Sequence, residues 1–355
     1  MTVSDLPRLE YGDLSRFLTS VSGWIDHALP HYLPDGEPRA YLYDLVREYP
    51  ARGGKRFRPA LMFLCTALAG GDPRKALPSA VALELFQNFA LVHDDIEDDS
   101  LVRRGQPTLH RLHGIPLAVN AGDRLFGLVF EALLDNENLL GPELTLRVQR
   151  QFAEVFGRTF EGQAMDIGWI QHNHFPDRAE FEAMIRRKTG WYSGRGPCQL
   201  GAIMGGGDDA LIATLGDYGE RLGIGFQLRD DVLNLTSDSA ETAPGVLSGG
   251  YGKERGGDVA EGKRTLIIIE LMERLAGPER DRLRSVLIRA APESQPKEAA
   301  WVIARAEETG ALAAVRARCS ELGTEAREVL RNLAPSPQRA LLEALTRYLI
   351  VERDS

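Results

Sequence analysis

The sequence predicts an all-α fold, and three observations lead to this prediction. Apolar residues recur with helical spacing along most of the chain. Runs with the strict alternation of polarity that indicates half-buried strands do not occur, nor does an internal repeat of roughly 20 to 50 residues. Glycine-rich breaks, such as those at 70–73 and 205–207, separate the periodic segments.

The periodic segments and their boundaries define thirteen predicted helices. Pro59 suits the first turn of one of them, Gly141-Pro142 opens another, and Asp177 is a candidate N-cap. The predicted helices span 12–29, 38–49, 59–70, 74–98, 116–134, 142–171, 177–205, 208–236, 262–276, 278–291, 295–309, 311–332 and 336–351.

The glycine-rich interval 237–258 is the longest polar stretch, and we interpret it as a mobile active-site loop, with a flexible linker as the alternative. No other interval has the composition of a domain linker. We therefore expect one all-helical domain over residues 1–355, in which 1–37 form an N-terminal extension and the first helix.

Composition narrows the class of protein. The 355 residues are 43% hydrophobic and 26% charged, and the net charge of −9 lacks the basic excess of nucleic-acid-binding proteins. Neither a signal peptide nor a membrane span is recognisable. The three cysteines are too far apart in sequence for a metal-binding pattern. We expect reduced thiols in a cytoplasmic protein that does not bind nucleic acid.

The first candidate site is the acidic segment 91–105, LVHDDIEDDSLVRRG. Asp94 and Asp98 share one face of a helix, and Asp95 and Asp99 form a neighbouring pair with the same spacing. Like charges at this spacing repel each other, and their position at a helix C-terminus also opposes the helix dipole. Bound cations would remove both costs.

Magnesium fits this cluster, because it prefers oxygen ligands and commonly combines one or two carboxylates with substrate phosphates. Arg103 and Arg104 follow directly and have the geometry to bind phosphate oxygens. A solvated acidic helix end is the alternative. The apolar approach segment 79–92 disfavours it, since a buried helix does not usually end in four free carboxylates.

A second acidic cluster lies in the segment 223–235, GIGFQLRDDVLNL. Asp230 and Asn234 share a helical face, Asp231 is beside them, and Gln227 is one turn earlier. Two acidic clusters at the polar ends of apolar helices are stronger evidence than one, because facing helices can hold metal ions between inward-pointing carboxylates.

Basic residues provide a possible counterpart to these acids. The segment 53–61, GGKRFRPAL, places Lys55, Arg56 and Arg58 at a helix start, where backbone N–H groups also favour anions. Positive charge at that end opposes the helix dipole, so a functional role is favoured over a surface role.

Four further basic or polar positions carry less information by themselves. Lys188 and Thr189 lie in the middle of a predicted helix, and Lys253 and Lys263 flank the glycine-rich interval. Each lysine taken alone is more typical of a solvated surface residue.

Together these segments resemble the trans-polyprenyl synthetases, the family of farnesyl and geranylgeranyl diphosphate synthases. The resemblance runs from about residue 50 to 270 and predicts an isoprenoid-synthase-type helical bundle around a central cavity. It is carried by segments in the order and approximate spacing of the family: GGKRFRP, LVHDDIEDDSLVRRGQPTLH, NAGD at 120–123, GQAMD at 162–166, KTG at 188–190, GFQLRDD and EGKRT.

The resemblance implies specific roles. The expected magnesium ligands are Asp94, Asp98 and Asp230, supported by Asp95, Asp231 and Asp258. The residues expected to hold the allylic diphosphate are Arg103, Lys188, Thr189, Gln227, Lys253 and Lys263. Those expected to hold isopentenyl diphosphate are Lys55, Arg58, Gln87 and Arg104. The expected catalytic set consists of Asp94, Asp95, Asp98, Asp230, Asp231, Lys188 and Lys263.

The resemblance also implies the reaction. Magnesium and basic groups promote loss of diphosphate from the allylic substrate, and isopentenyl diphosphate attacks the resulting cation. In the family, the positions four and five before the first aspartate control product length. Bulky Phe89 beside small Ala90, with Phe86 a turn deeper, predicts a C20 product first and C15 second. Ordinary core packing is the alternative for both phenylalanines.

Three positions depart from the family pattern. Gln87 stands where many members have histidine, but its amide can still donate to a phosphate. Asn234 replaces an aspartate that many members have at the end of the second cluster. The interval between Gln227 and Lys253 is longer than in compact members, a difference that bears on how this loop would close.

Two other functions remain open from sequence alone. A class I terpene cyclase would share the aspartate clusters but would not need Lys55, Arg58 and Arg104. A non-catalytic subunit of a heteromeric synthase would be expected to have lost acidic residues that this chain keeps. The family also leads us to expect a homodimer.

Overall fold

The structure is a computed structural model that describes residues 6–236, 255–288 and 295–352. Most of the predicted loop 237–258, including Lys253, therefore lies outside the described residues. The α-helices are α1 Leu14–Tyr32, α2 Asp44–Ala51, α3 Phe57–Leu68, α4 Leu77–Glu97, α5 Leu109–His113, α6 Ile115–Leu134, α7 Asn136–Leu140, α8 Pro142–Gln171, α9 Arg178–Ile185, α10 Gly196–Met204, α11 Asp209–Thr236, α12 Gly257–Ala260, α13 Leu266–Arg274, α14 Gly277–Ile288, α15 Gln295–Glu308, α16 Ala311–Arg331 and α17 Pro337–Thr346.

The remaining regular structure is short. Residues Pro73–Ala76 form a 3₁₀ turn, and Arg39–Tyr43, Arg186–Arg195 and Arg347–Glu352 are π-helical. Strands β1 (Val102–Arg103) and β2 (Gln106–Pro107) form an antiparallel hairpin. The all-α prediction is confirmed, with this one small hairpin in the described part of the chain.

Several predicted boundaries are confirmed by their local chemistry. The Asp177 side chain accepts a hydrogen bond from the Glu180 backbone, and the Glu180 side chain accepts one in return from the Asp177 backbone. This reciprocal capping box fixes the start of α9. Gly141-Pro142 opens α8, with proline in the first helical turn where its missing N–H costs nothing.

Other elements differ from the prediction. The single helix predicted over 177–205 is divided into α9, a π-helical segment and α10, because the middle of this stretch has a wider backbone than an α-helix. The helix predicted from residue 336 ends as α17, and a π-helical turn follows it. The hairpin was not predicted, since two-residue strands are too short to show alternation.

Helix α4 passes through the middle of the molecule and is buried along most of its length, packed chiefly against α6. The π-helical segment Arg186–Arg195 packs against α8 on one side and α11 on the other. Glycine makes the second contact possible, because a Cβ atom on Gly194 would lie 1.8 Å from the Gly219 carbonyl oxygen. The functional segments of α4 and α11 are thereby arranged around one central cavity.

No helix in the described ranges combines the length and the apolar character needed to cross a membrane.

Candidate active site

A cavity of about 450 Å³ lies between α4, α8, the π-helical segment and α11. One end is lined by charged and polar side chains from both acidic clusters. The other end is lined mainly by aromatic and aliphatic side chains. The lining residues on which the following argument depends are Arg58, Phe86, Gln87, Phe89, Ala90, Asp94, Arg103, Arg104, Phe160, Asp166, Lys188, Thr189, Tyr192, Gln227, Asp230, Asp231, Asp258, Lys263 and Arg264.

The first acidic cluster reaches this cavity through Asp94. Its carboxylate lies 3.5 Å from Lys188 Nζ and 3.4 Å from an Arg103 guanidinium nitrogen. Asp98 is not among the lining side chains, but its carboxylate lies 2.6 Å from Nζ of Lys263, which does line the cavity. Burial and the neighbouring charge of Asp94 raise the pKa of Asp98 to about 7.

Asp95 points away from the cavity, although it adjoins Asp94 in sequence. Its side chain is fully buried, accepts a hydrogen bond of 2.5 Å from the Tyr49 hydroxyl and is paired with the Arg103 guanidinium. Successive residues on an α-helix are separated by about 100° around its axis, so Asp95 can face Tyr49 and Arg103 while Asp94 faces the cavity. Asp95 therefore supports the first cluster from behind.

The second acidic cluster lines the same cavity through Asp230 and Asp231. Gln227 donates a hydrogen bond of 2.9 Å to Asp231, and the Thr189 hydroxyl donates one of 3.3 Å to Gln227. Burial and the negative charge of Asp258 raise the pKa of Asp231 to about 8.

Asn234 has a different position from the cluster aspartates. It is fully buried, does not line the cavity, and accepts a 3.2 Å hydrogen bond from the Asp258 backbone. Its main-chain carbonyl also accepts from the Gly256 backbone at 2.8 Å. Asn234 thus fixes the chain before α12, and the replacement of aspartate at this position leaves the lining acids Asp230 and Asp231 in place.

Lys188 contacts both a cluster aspartate and a side chain of α8. Its ammonium group lies 2.5 Å from the Asp166 carboxylate and 3.5 Å from that of Asp94. Burial alone would lower the pKa of Lys188, but these two charges outweigh it and hold the pKa above its usual range. Lys188 is therefore a cation at neutral pH, when the phosphate groups of a ligand are negatively charged.

Three of the four residues predicted to hold isopentenyl diphosphate line the cavity. The Arg58 guanidinium is fixed by hydrogen bonds to the Ser193 hydroxyl at 2.7 Å and the Tyr192 hydroxyl at 3.1 Å. The Gln87 side-chain oxygen is buried and has no hydrogen-bond partner in the described part of the chain.

Arg104 is the third of these residues. It donates to the Gly53 carbonyl, and burial lowers its pKa to about 10. Lys55 is exposed and is not among the lining side chains. The adjacent Arg56 is buried in ion pairs with Glu84 and Asp26, so it anchors the loop that carries Lys55.

The apolar end contains all three residues of the predicted chain-length wall. Phe86 is fully buried and stacks on Phe156, with ring centroids 4.4 Å apart. Phe89 packs on Phe126 at 4.9 Å, and Ala90 adjoins it on the cavity surface. Rings from α4, α6 and α8 therefore close this end of the cavity.

Among the described residues, the acidic groups are spaced so that a metal ion would need further ligands, such as water or phosphate oxygens. Within residues 6–236, 255–288 and 295–352, no three histidine, cysteine or carboxylate side chains converge closely enough to ligate one ion unaided. Magnesium commonly takes one or two carboxylates and completes its shell with water and phosphate oxygens. Asp94 and Asp230, which line one cavity, fit this mode of binding.

Several side chains that line the cavity or contact its lining residues were not assigned from sequence. Asp166 holds Lys188, Gln163 donates to Glu97 at 2.5 Å and to Asp94 at 3.3 Å, and buried Arg264 lines the cavity. The segments GQAMD and EGKRT contain Gln163, Asp166 and Arg264, so their presence in those segments was the available signal. No sequence signal pointed to Tyr49, because its partner Asp95 is 46 residues away in the chain.

Paired carboxylates and fixed cations at one end of a cavity, with an aromatic wall at the other, define an all-helical site for a diphosphate ester of a hydrocarbon. Comparison with known proteins agrees with this class. The profile of the polyprenyl synthetase family matches residues 39–304. The chain belongs to the polyprenyl synthetase family.

Individual relatives cover nearly the whole chain. The geranylgeranyl pyrophosphate synthase of Geoglobus acetivorans is 34% identical over 341 residues, which are 96% of this chain and 99% of the relative. Other archaeal relatives are named geranylfarnesyl diphosphate synthases.

Solved structures show the same fold. The geranylgeranyl pyrophosphate synthetase of Pyrococcus horikoshii superposes with a TM-score of 0.83 at 32% identity, covering 94% of this chain and 98% of that one. The geranylgeranyl pyrophosphate synthase of Corynebacterium glutamicum, complexed with isoprenyl diphosphate and magnesium, has a TM-score of 0.84 at 29% identity. That superposition covers 96% of this chain and 100% of the other.

Proposed function

We propose that the protein is a trans-prenyltransferase that condenses isopentenyl diphosphate with an allylic diphosphate to give a longer all-trans prenyl diphosphate. Geranylgeranyl diphosphate (C20) is the main proposed product, with C15 second. One observation carries the proposal: Asp94 and Asp230, from clusters far apart in sequence, line one cavity whose far end is aromatic. Such a cavity suits a ligand with a charged head and a hydrocarbon tail.

Magnesium is the proposed cofactor, with several ions in the site. Asp94, Asp98 and Asp230 would hold them, supported by Asp231 and Asp258, which line the same cavity. When bound, magnesium supplies charge that stabilises the diphosphate as a leaving group. The magnesium complex of the Corynebacterium relative supports this choice of metal.

The basic side chains bind and orient the allylic diphosphate in this proposal. Lys188 is held in place by Asp166, and Lys263 by Asp98, so each presents a fixed positive charge beside the aspartates. Gln227 and Thr189 form a hydrogen-bonded pair that limits the freedom of both side chains. Fixed groups of this kind stabilise developing charge without reorganising during the reaction.

Isopentenyl diphosphate would bind where Arg58, Arg104 and Gln87 line the cavity. Arg58 and Arg104 supply the lining positive charge there, and Gln87 supplies an amide. The hydroxyl groups of Ser193 and Tyr192 hold the Arg58 guanidinium in one orientation. Lys55 is proposed to reach the same diphosphate from the exposed loop.

The aromatic wall is proposed to limit the length of the product. Phe86 and Phe89 fill the space in line with Asp94 on α4, whereas Ala90 leaves room between them and the aspartate. Apolar walls also exclude water from the allylic cation, which water would otherwise capture.

The protein is also proposed to form a homodimer. Large apolar side chains are exposed on the neighbouring helices α6 and α8, among them Phe130, Leu134 and Leu146. Contiguous exposed apolar residues are typical of interaction surfaces. A cytoplasmic location remains an expectation from the sequence, with which the three buried free cysteines are compatible.

The proposal is tested by supplying magnesium, isopentenyl diphosphate and a C5, C10 or C15 allylic diphosphate, and analysing the products by mass. We expect longer diphosphates, chiefly C20, and no turnover with EDTA. Hydrocarbon formed from the allylic substrate alone would indicate a cyclase. A folded protein without turnover under any of these conditions would indicate a non-catalytic subunit.

A further inference from the structure

Tyr49 lies behind the first acidic cluster, in contact with the one cluster aspartate that faces away from the cavity. Its ring is buried, and its hydroxyl is 2.5 Å from Asp95 Oδ2. The Arg103 guanidinium binds the other carboxylate oxygen, with Nε at 2.8 Å. Both oxygens of Asp95 are therefore occupied by donors from outside α4.

The direction of the Tyr49 hydrogen bond is fixed by a second contact. The Leu109 backbone N–H donates to the Tyr49 hydroxyl oxygen at 3.2 Å. A phenol has a single proton, and with Leu109 acting as a donor, that proton is directed to Asp95. Burial and the Asp95 charge raise the pKa of Tyr49 well above its usual range, so the phenol remains a donor at physiological pH.

The ring of Tyr49 is held as firmly as its hydroxyl. The Arg52 guanidinium lies over it, 4.5 Å from the centroid, and also donates to the carbonyl oxygens of Arg103 and Pro107 at 3.2 and 2.9 Å. The end of α2 is thus fastened to both strands of the hairpin. Movement of the Tyr49 hydroxyl relative to the hairpin would break several contacts together.

These contacts form a chain that ends in the cavity. Tyr49 holds Asp95, Asp95 holds Arg103, and Arg103 reaches Asp94 at 3.4 Å. If the Asp95 carboxylate lost its Tyr49 donor, one buried oxygen would be unpaired, which is costly for a charged group. Rotation of the carboxylate to regain a partner would move Arg103 and, with it, the charge beside Asp94.

We propose that Tyr49 is a positioning residue for the diphosphate-binding aspartates, acting through Asp95 and Arg103. It fixes which face of the acidic segment is presented to the cavity, so that Asp94 is available and Asp95 is not. The inference rests on the proposed prenyltransferase function, and it assigns to α2 a part in that function.

The first test is Tyr49→Phe, which removes only the hydroxyl. We expect kcat/KM for the allylic diphosphate to fall roughly ten- to hundredfold, as for the loss of a hydrogen bond to a charged group. The magnesium concentration for half-maximal rate should rise at least fivefold, while KM for isopentenyl diphosphate stays within twofold. Unchanged allylic and magnesium parameters would overturn the inference.

Tyr32→Phe is the matched control. The Tyr32 hydroxyl donates to Asp135 at 2.7 Å, so it also makes a tyrosine–aspartate bond, but at the surface between α1 and the end of α6. We expect this variant to keep all kinetic parameters within twofold. Equal losses in the two variants would show that Tyr49 contributes only general stability.

A double-mutant cycle distinguishes positioning through Asp95 from an independent structural role. If Tyr49 acts through Asp95, Tyr49→Phe combined with Asp95→Asn should be no less active, within twofold, than Asp95→Asn alone. Losses that multiply would contradict the inference. A wild-type protein without turnover would instead refute the proposed function, so the two failures are distinguishable.

A binding measurement applies even if Tyr49→Phe does not fold. The rise in melting temperature caused by magnesium with inorganic pyrophosphate is compared in the wild type, Asp94→Asn and Asp95→Asn. We expect Asp94→Asn to lose most of the rise, and Asp95→Asn to keep at least half of it, because Asp95 faces Tyr49 instead of the cavity. Equal losses would make Asp95 a direct ligand and overturn the assignment.

Discussion

The two ends of the cavity are built on different principles. At the polar end, charged groups are held by specific ion-pair partners, as in the Lys188–Asp166 and Lys263–Asp98 pairs. At the aromatic end, each ring contacts several others. Phe86, for example, packs against three rings, those of Phe89, Phe126 and Phe156.

This difference determines how each end should respond to substitution. Removal of one member of a buried ion pair leaves an uncompensated charge, so changes at the polar end affect binding and catalysis directly. Removal of one ring leaves a space that the remaining rings border, so changes at the aromatic end alter volume and stability. Substitutions at the polar end should therefore lower activity, and substitutions at the aromatic end should change the length of the product.

The largest expected effect belongs to Asp94→Asn. Asp94 lines the cavity and contacts Lys188 and Arg103, so its charge is the one most directly shared between bound metal and the basic groups. We expect kcat to fall about a thousandfold, in line with the loss of a group that stabilises transition-state charge. The measurement is the steady-state rate with saturating magnesium and both substrates.

Asp99→Asn is the control for charge removal in the same segment. Asp99 is 77% exposed and pairs with Arg111 away from the cavity, so its kcat should stay within twofold. An Asp94→Asn enzyme within tenfold of the wild-type rate would mean that the polar end does not depend on this aspartate.

The next effect is at the aromatic end. Phe86→Ala and Phe89→Ala should each shift the products towards longer chains, because each opens space in line with Asp94. The free energy of unfolding should fall by about 3–5 kcal/mol, as for other buried phenylalanines. Product mass analysis measures the first effect and denaturant unfolding the second.

Phe152→Ala separates cavity volume from stability. Phe152 is as buried as Phe86 and packs on Phe156 at 5.5 Å, but it does not line the cavity. It should cost similar stability without a change in products. If the two lining variants gave wild-type products, the wall assignment would be wrong.

The same contrast explains what the sequence could reveal. Charges such as Asp94 and Asp230 at the ends of apolar helices are improbable without a function, so their place at the site could be predicted. Asp95 was expected to support the metal ligands and Asn234 to share a helical face with Asp230, but only three-dimensional packing shows that both are turned away from the cavity. Phe86 could be placed on a helix, but aromatic residues in a wall and in a core have the same sequence pattern.

The smallest effect on activity should come from a substitution at the contact between α8 and the π-helical segment that carries Lys188. Gly162 on α8 faces the π-helical segment so closely that a Cβ atom there would lie 2.2 Å from the Lys188 backbone nitrogen. Gly162→Ala should push α8 away from the backbone of Lys188 and lower the free energy of unfolding by about 1–3 kcal/mol. Because Lys188 would then be displaced, KM for the allylic diphosphate should rise severalfold.

Gly157→Ala is the matched control, one and a half turns earlier on the same helix. Gly157 is exposed, and a Cβ atom there would meet nothing within 4 Å. Alanine should stabilise the helix by about 0.5–1 kcal/mol and leave KM unchanged. A Gly162→Ala variant that behaved like Gly157→Ala would show that Lys188 tolerates displacement. The fixed ion pairs of the polar end would then matter less than their geometry suggests.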